Sequence, residues 1–468
     1  MIPEEPVGEA PCETPARASS PALFRTRGPH ETVPEESVSE ASGRHEGAPG
    51  RVPLKHERIS AVLASEIAAG RLAPGTQLPG EVALAQRFGV SRTTVRAALA
   101  ELSEGSLIAT RTGKGSFVLP QATRRPPRTS APDPATTIEE RALGALQGLA
   151  IGDALGMPTQ LLSREEIVAN YGPVMAGFEP APPGHPIAAG MVAGQVTDDT
   201  EQAIILAQVL ISGRGTIDAR ELARRLVAWE AEMRARGSLD LLGPSTRRAL
   251  ADLVAGGDIE MTGRYGDTNG AAMRITPVGI ATVPETSAIV AAVEAASRVT
   301  HNTSIALAGA SAVAAAVSSG VAGRGVGAAI DAAVSAAEAG ARRGRWVAGA
   351  DIATRIRWAI AAVAGLDDAA ACDLVYRLVG TSLASQESVP AAFAMLSLHP
   401  DDPWLTCRLA ASVGGDCDTI AAMAGAMAGA CAGAGRFPDA VVAQLESVNR
   451  LDLPALAADL VGLREGAR

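Results

Sequence analysis

The sequence predicts a mostly α chain in which a small module of three helices plus a β-hairpin precedes a large all-α domain. Apolar residues make up 47% of the chain and aromatics only 3%, so the hydrophobic content is chiefly Ala, Val, Leu and Ile. Ala-rich runs with interspersed Gly favour closely packed helices, because Ala has the best helix propensity while strands favour β-branched and aromatic residues. A length of 468 residues exceeds one ordinary core, so two or more domains are expected. Charge is also segregated. Residues 1–50 carry nine Glu against four Arg (net −5), and residues 51–128 carry twelve Lys or Arg against five Glu (net +7). The rest of the chain holds −12 of a total of −10, so only the basic stretch is expected to meet a polyanion.

Taken in order, residues 1–50 are rich in Pro, Glu, Ser and Gly and offer little apolar surface, which predicts a disordered tail. Residues 51–120 read as a compact domain. Ile59, Val62, Leu63 and Ile67 mark a first helix ending at Gly70. Leu78-Pro79-Gly80-Glu81 opens a second helix through Val82, Leu84 and Phe88, closed by Gly89, and Ser91 caps a third. Leu107 to Arg111 and Ser116 to Val118 read as short strands joined by a turn at Thr112-Gly113-Lys114-Gly115. This order is that of a winged helix-turn-helix. Residues 121–137 contain four prolines and three arginines, a solvated linker. From 138 to 468 the chain reads as Ala-rich helices without a βαβ rhythm, hence an all-α domain.

The turn Phe88-Gly89-Val90 would place Arg92, Thr93, Thr94 and Arg96 near the start of a recognition helix, with Lys114 and Gly115 at a wing tip. A solvated basic face is the plainer reading of each arginine alone. The stretch from Leu78 to Val118 resembles the GntR family of bacterial regulators, through Phe88-Gly89-Val90-Ser91-Arg92-Thr93-Thr94-Val95-Arg96 and Gly113-Lys114-Gly115-Ser116-Phe117-Val118. That resemblance implies binding to operator DNA, usually as a homodimer, through Arg92, Thr93, Thr94, Arg96, Lys114 and Gly115. Val82 departs from the family, which often has Arg or another polar residue there.

Two acidic clusters stand out in the acidic domain. Thr197-Asp198-Asp199-Thr200-Glu201 precedes the apolar run Ala203-Ile204-Ile205-Leu206, and Gly415-Asp416-Cys417-Asp418-Thr419 precedes Ile420-Ala421-Ala422. Each sits where a helix should begin, so helix capping is one reading; Asp198 with Glu201 has the spacing of a capping box. A cap needs one acceptor, however, and each cluster packs two carboxylates and a hydroxyl into four residues. Adjacent carboxylates repel unless neutralised, and hard oxygen donors suit Mg²⁺ or Mn²⁺. Nothing in the pattern itself brings the two clusters together.

Residues 138–435 resemble the ADP-ribosylglycohydrolase (DraG-like) family. Five ordered signatures carry the likeness: Gly144 to Pro158, Thr197 to Thr200, Asn269-Gly270-Ala271-Ala272-Met273-Arg274, Thr300-His301, and Gly415 to Thr419. The resemblance implies an all-α domain holding two Mg²⁺ or Mn²⁺ ions, with Thr197, Asp198, Asp199, Asp416, Asp418 and Thr419 as ligands. It implies water attack on an anomeric carbon through an oxocarbenium-like transition state, with Asp198 or Asp416 assisting proton transfer. Asp153, Gln160, Asn269, Gly270, Arg274, His301 and Ser388 would border the substrate. Asn269 and Gly270 read equally as an ordinary helix cap, and His301 as a structural histidine. Gln160 is the departure, since many relatives have Glu there, and a neutral amide neither takes a proton usefully nor binds a cation as well. The polar stretch Gly380 to Pro390 reads as a loop beside the cleft, and Cys417 as packed into its helix.

No run of about 18 uninterrupted apolar residues is present, so no membrane span is expected. The N-terminus lacks a basic region followed by an apolar one, and five cysteines without paired spacing fit reduced thiols, so a cytoplasmic location is expected. The combined expectation is a DNA-binding transcriptional regulator fused to a dinuclear Mg/Mn-dependent glycohydrolase acting on an ADP-ribosylated or nucleoside-like substrate. The alternative is a transcription factor whose hydrolase-like domain only senses a ligand.

Overall fold

The computed structural model describes residues 76–104, 108–111, 115–118, 135–238 and 242–466, together with His56, Ile59, Ser60 and Leu63. The chain divides into two compact units between Gln121 and Ala122. The expected tail 1–50, most of the expected linker and Lys114 lie outside the described residues.

In the first unit His56, Ile59, Ser60 and Leu63 are helical, within the stretch whose periodicity predicts the first helix. α1 (Glu81–Phe88) stops at Gly89, whose left-handed φ of 62° lets its N–H reach the carbonyls of Ala85 and Gln86. The chain turns there and enters α2 (Arg92–Glu104). β1 (Ile108–Arg111) pairs antiparallel with β2 (Gly115–Val118), Ile108 lying opposite Val118. Gln77 bridges to Phe117, and Leu78 N–H donates to the Ser116 carbonyl at 2.8 Å, tying the hairpin to the segment before α1. Ile59, Leu63, Leu78, Leu84, Val95, Ala98, Leu102 and Ile108 form the core. Full burial of a Leu or Ile contributes about 1.5–3 kcal/mol, so this core is small and depends on each member.

The second unit is all helical among the described residues. Its centre is a pair of helices, α3 (Ile138–Gly156) and, at the far end of the sequence, Cys417–Ala432. α3 starts in a capping box, Thr137 accepting from Glu140 N–H while the Glu140 side chain accepts from Thr137 N–H. From Arg141 onward it is buried almost all round. Gly144, Gly148, Gly152 and Gly156 recur at every fourth residue and so share one face. A Cβ placed on Gly148 would lie 2.0 Å from the Gly425 carbonyl oxygen, and one on Gly152 would lie 2.0 Å from that of Ala421. Reciprocally, a Cβ on Gly429 would lie 1.9 Å from the Gly144 carbonyl oxygen. The two helices are therefore in backbone contact.

Around this pair lie α4 (Asp198–Ser212), α5 (Ser304–Val321) and α6 (Ser385–Leu398), and we label Cys417–Ala432 α7. α5 is long and apolar enough to cross a membrane, with a mean hydropathy of 1.6 over 18 residues, yet every residue of it is buried in the core. Its four serines and two glycines interrupt the apolar run, which is why a search for unbroken apolar stretches passes over it. The stretch read as a loop from Gly380 to Pro390 is loop only as far as Ala384. From Ser385 it is helical, with Pro390 inside α6 at the cost of one intrahelical hydrogen bond.

Candidate functional site

On α2 the side chains of Arg92, Thr93 and Arg96 are exposed and Thr94 is half-buried. Ser91 Oγ accepts from Thr94 N–H at 3.2 Å and lies 2.8 Å from Thr94 Oγ1, so it caps the helix. Both arginines converge on Glu81 at the start of α1: Arg96 Nε donates to its two oxygens at 2.9 Å, and Arg92 Nη2 donates at 3.4 Å. These bonds, Arg96 first, hold the Glu81 carboxyl below its usual range. Gly115 begins β2 with φ 93°, a backbone conformation that favours glycine. Val82, beside Glu81, is 53% exposed and makes an apolar spot on an otherwise polar face.

In the second unit the fold joins the two acidic clusters, which are far apart in sequence. Thr419 Oγ1 donates to Asp199 Oδ2 at 3.3 Å, and Thr197 Oγ1 lies 3.4 Å from the same oxygen. Neither cluster is used for helix capping. Thr197 before α4 and Asp416 before α7 occupy the cap positions, and neither side chain makes a cap hydrogen bond. Elsewhere in this domain Thr137, Ser163, Asp218 and Asp351 do cap their helices. Glu201 forms no capping box either; it accepts from Trp229 Nε1, and burial raises its carboxyl above the usual range.

The first cluster is held from below by Asp153 of α3. That carboxylate is fully buried and accepts from Thr197 N–H at 3.0 Å, Thr197 Oγ1 at 2.7 Å, Thr200 N–H at 3.1 Å and the Thr200 hydroxyl. Burial pushes its carboxyl up to about 6 against the pull of those bonds. The second cluster is set by Gly414 and Gly415, both at positive φ, and by the Asp416 N–H donating to the Thr381 carbonyl at 2.7 Å. A Cβ on Gly415 would lie 2.4 Å from that carbonyl oxygen. Asn269 Nδ2 donates to Asp416 Oδ2 and also to Ser388 Oγ, the latter at 3.0 Å, so three residues expected at the site meet. Burial raises the Asp416 carboxyl to about 6, with Asn269 and Thr419 opposing.

A buried chain of hydrogen bonds leads away from Asp198. Gln202 Nε2 donates to Asp198 Oδ2 at 2.6 Å, and Gln202 Oε1 accepts from Arg274 Nη1 at 2.9 Å. Arg274 Nη2 donates to Thr300 Oγ1 at 2.6 Å, and Thr300 Oγ1 is 2.8 Å from His301 Nδ1. His301 Nε2 lies 3.1 Å from Thr268 Oγ1, next to Asn269. Arg274 is 1% exposed, and burial lowers its guanidinium to about 10 although Asp198 pulls the other way. Burial, with Arg274 and Arg248 nearby, keeps the His301 imidazole well below its ordinary basicity and so neutral. Gly270 packs on that ring; a Cβ there would lie 2.9 Å from His301 Cε1.

Gln160 lies against the second cluster through its neighbours, Leu161 N–H donating to the Gly415 carbonyl at 2.7 Å and Gly415 N–H to that of Leu162 at 2.9 Å. Its side chain is 4% exposed, and its Nε2 has no hydrogen-bond acceptor among the described residues. Cys417 is buried 3.2 Å from Thr159 Oγ1, and burial raises its thiol far out of reactive range. Gln202 is a part of the site that the sequence reading did not single out. It had a local signal, four residues after Asp198 on one helix face.

Among the described residues no three His, Cys, Asp or Glu side chains already form a metal cage. The donor chemistry does suit a hard divalent cation: carboxylate and threonine oxygens converge, and Gln202 links Asp198 to the buried cation Arg274.

Comparison with known proteins agrees with this architecture. The sequence model of the ADP-ribosylglycohydrolase family matches residues 134–468, and that of bacterial regulatory proteins of the gntR family matches residues 55–118. The chain is 34% identical to the uncharacterized protein YegU of Escherichia coli K12, over 70% of this chain and 98% of that one. It is 32% identical to the ADP-ribosyl-[dinitrogen reductase] glycohydrolase of Rhodospirillum rubrum, over 36% of this chain and 53% of that one. A solved ADP-ribosylglycohydrolase-related protein complex superposes with a TM-score of 0.52 at 26% identity, covering 70% of this chain and 99% of that one. The chain therefore belongs to the ADP-ribosylglycohydrolase family and carries, ahead of that domain, a DNA-binding module of the bacterial gntR regulator type.

Proposed function

We propose that the C-terminal domain is a metal-dependent glycohydrolase that cleaves the N- or O-glycosidic bond joining an ADP-ribose-like sugar to its carrier. The N-terminal module binds operator DNA in this reading, and the whole acts as a homodimeric cytoplasmic regulator. The observation that carries the enzymatic half is the meeting of two distant acidic clusters that are kept out of helix capping.

Thr197, Asp198, Asp199, Asp416, Asp418 and Thr419 are the residues that would hold two Mg²⁺ or Mn²⁺ ions. Bound there, such ions polarise substrate oxygens and lower the pKa of water. The chain's own residues do the rest. Asp153 acts from behind the first cluster, since its oxygens are engaged by Thr197 and Thr200. Asn269, itself hydrogen-bonded to Ser388, orients Asp416. Gln202 orients Asp198 and couples it to Arg274. Asp416 or Asp198 takes the proton from the attacking water and returns one to the departing carrier, while positive charge develops at the anomeric carbon.

A second reading, in which the domain binds its ligand without consuming it, is favoured by Gln160. A buried amide in that position supplies hydrogen bonds to a ligand but cannot exchange a proton at neutral pH. The two readings separate in one assay: release of ADP-ribose from a panel of ADP-ribosylated substrates with Mg²⁺ or Mn²⁺, with Asp416→Asn as control. The enzyme reading expects metal-dependent release that the substitution lowers by about 10²–10⁴-fold. Retained ADP-ribose binding without any release would establish the sensor instead.

A further inference from the structure

Among the described residues, three other than glycine have a left-handed φ: Leu161 at 61°, Arg214 at 50° and Arg450 at 55°. Arg214 and Arg450 follow the ends of helices, and each N–H stays with its own helix, donating to the Ile211 and Glu446 carbonyls at 3.0 and 2.9 Å. Leu161 also follows a helical turn, yet its N–H leaves for the Gly415 carbonyl at 2.7 Å. Its side chain is 52% exposed, so burial does little to offset the conformation. A bulky residue in this region is strained, and it persists only where its surroundings over-determine it.

The peptide group between Gln160 and Leu161 is gripped at both ends. Gly415 takes its N–H, and His185 takes its carbonyl, with Nε2 lying 2.8 Å from the Gln160 oxygen. Backbone contacts fix the tautomer of that ring. Nδ1 accepts from Ala188 N–H at 2.9 Å and from Ile187 N–H at 3.3 Å, so the proton sits on Nε2 and is donated to Gln160. The ring is 4% exposed, and burial lowers its basicity. Turning the peptide over would bring Leu161 to an ordinary negative φ, but would lose both hydrogen bonds. His185 therefore opposes a relaxation that the backbone itself favours.

Both ends of the clamp belong to the candidate site. Gly415 precedes Asp416, and Gln160 carries a buried Nε2 without an acceptor among the described residues. His185 lies between the helix Arg164–Tyr171 and α4, in a stretch with neither helix nor strand that runs into Thr197. One imidazole joins the approach to the first acidic cluster to a residue beside the second. We infer that His185 is a positioning residue: by holding the 160–161 peptide against the strain at Leu161, it aims the Gln160 amide to donate to an acceptor oxygen of the bound sugar. This role rests on the reading of the domain as one that takes an ADP-ribose-like ligand, and it gives a task to a residue outside both clusters.

The test is a rescue, read in the full chain by calorimetric titration of ADP-ribose with Mn²⁺ present and by hydrogen exchange of residues 157–163 without ligand. His185→Leu is expected to weaken ADP-ribose by about tenfold and to speed exchange of that segment by about the same factor. Adding Leu161→Gly, which makes the left-handed conformation free of strain, should bring both readouts back to within about threefold of wild type. A residue that merely packed its loop would not be rescued by a glycine elsewhere. His185→Gln, which keeps an N–H for the Gln160 carbonyl, should fall between, and it stands in where the leucine variant does not fold. Exchange unaltered in His185→Leu, or a loss that Leu161→Gly leaves in place, would overturn the inference. Equal ADP-ribose affinity in wild type and His185→Leu would overturn it while leaving the ADP-ribose reading intact; a wild type that ignores ADP-ribose would remove both.

Discussion

In the DNA-binding module the residues expected to do the work stand on the surface: Arg92 and Arg96 are exposed and share one partner, Glu81. In the glycohydrolase domain the corresponding groups are sunk into the core. Asp153, Arg274, His301 and Ser388 are each at most 1% exposed, and the hydrogen bonds of each lead toward one of the two acidic clusters. On the proposed function the contrast follows from the partners. A DNA backbone is met at a surface and rewards charge that remains hydrated until contact. A small sugar ligand has to be surrounded, so the charges that serve it need protein partners for every buried atom. Surface sites can therefore change one residue at a time, whereas buried sites change only with their neighbours.

Gly148→Val breaks this contrast most severely if it is wrong. The added side chain would meet the Gly425 backbone, which has no flexible end to yield, so the helical domain is expected to lose more than about 4 kcal/mol and to fail to fold. A thermal melt close to wild type would show that α3 and α7 can separate after all. Next in size is Gln202→Leu, which takes from the buried Arg274 one of its acceptors, leaving Thr300, and should cost about 1–3 kcal/mol in chemical denaturation. Gln202→Glu sharpens the point, because it restores a partner for Arg274 but sets a second carboxylate against Asp198. Stability should return and turnover should not.

On the exposed side, Arg96→Ala should weaken operator binding by about 1–3 kcal/mol in fluorescence anisotropy and leave the melting temperature nearly unmoved. A matching loss of stability would mean that the Glu81 pair is structural. The smallest effect concerns pH. His301 is held well below its ordinary basicity by burial, and His185 is lowered for the same reason. The unfolded chain takes up these protons near pH 6.5 and the folded chain does not, so the stability these two histidines contribute is full above about 6.5 and declines as pH falls below it, by at most about 1.4 kcal/mol per unit and histidine. Unfolding midpoints at pH 6.5 and 5.5 should differ more in wild type than in His301→Gln.

The module's helices and hairpin were legible because each is signalled locally, by Gly89 at a helix end and by Ser91 at a cap. The acidic clusters were legible for the same reason, as dense groups of carboxylates in short segments. Their meeting was not, since the contact between Asp199 and Thr419 spans 220 residues of chain that carry no local trace of it. Arg274 could be picked out, but its partners Gln202 and Thr300 lie 72 and 26 residues away. The helix from Ser385 was hidden by Pro390, which ordinarily ends helices, and by a polar start that reads as loop. The fourfold glycine spacing in α3 was visible as a pattern, yet its purpose depends on the opposing backbone of α7.

That backbone contact also sets where the domain can yield. Helices separated by side chains can slide as rotamers rearrange, but α3 and α7 have no such slack at Gly144, Gly148 and Gly152. Asp153 on one and Asp418 on the other are thus kept at a fixed height by a stiff beam. The segments 266–270 and 380–385, which join each other through the Thr268–Ala384 bridge, are held in the same way: a Cβ on Gly266 would lie 2.0 Å from the Thr300 carbonyl oxygen, and one on Gly415 2.4 Å from that of Thr381. Glycine against backbone thus sets both the beam and the loops that carry Asn269 and Thr381 to the acidic clusters.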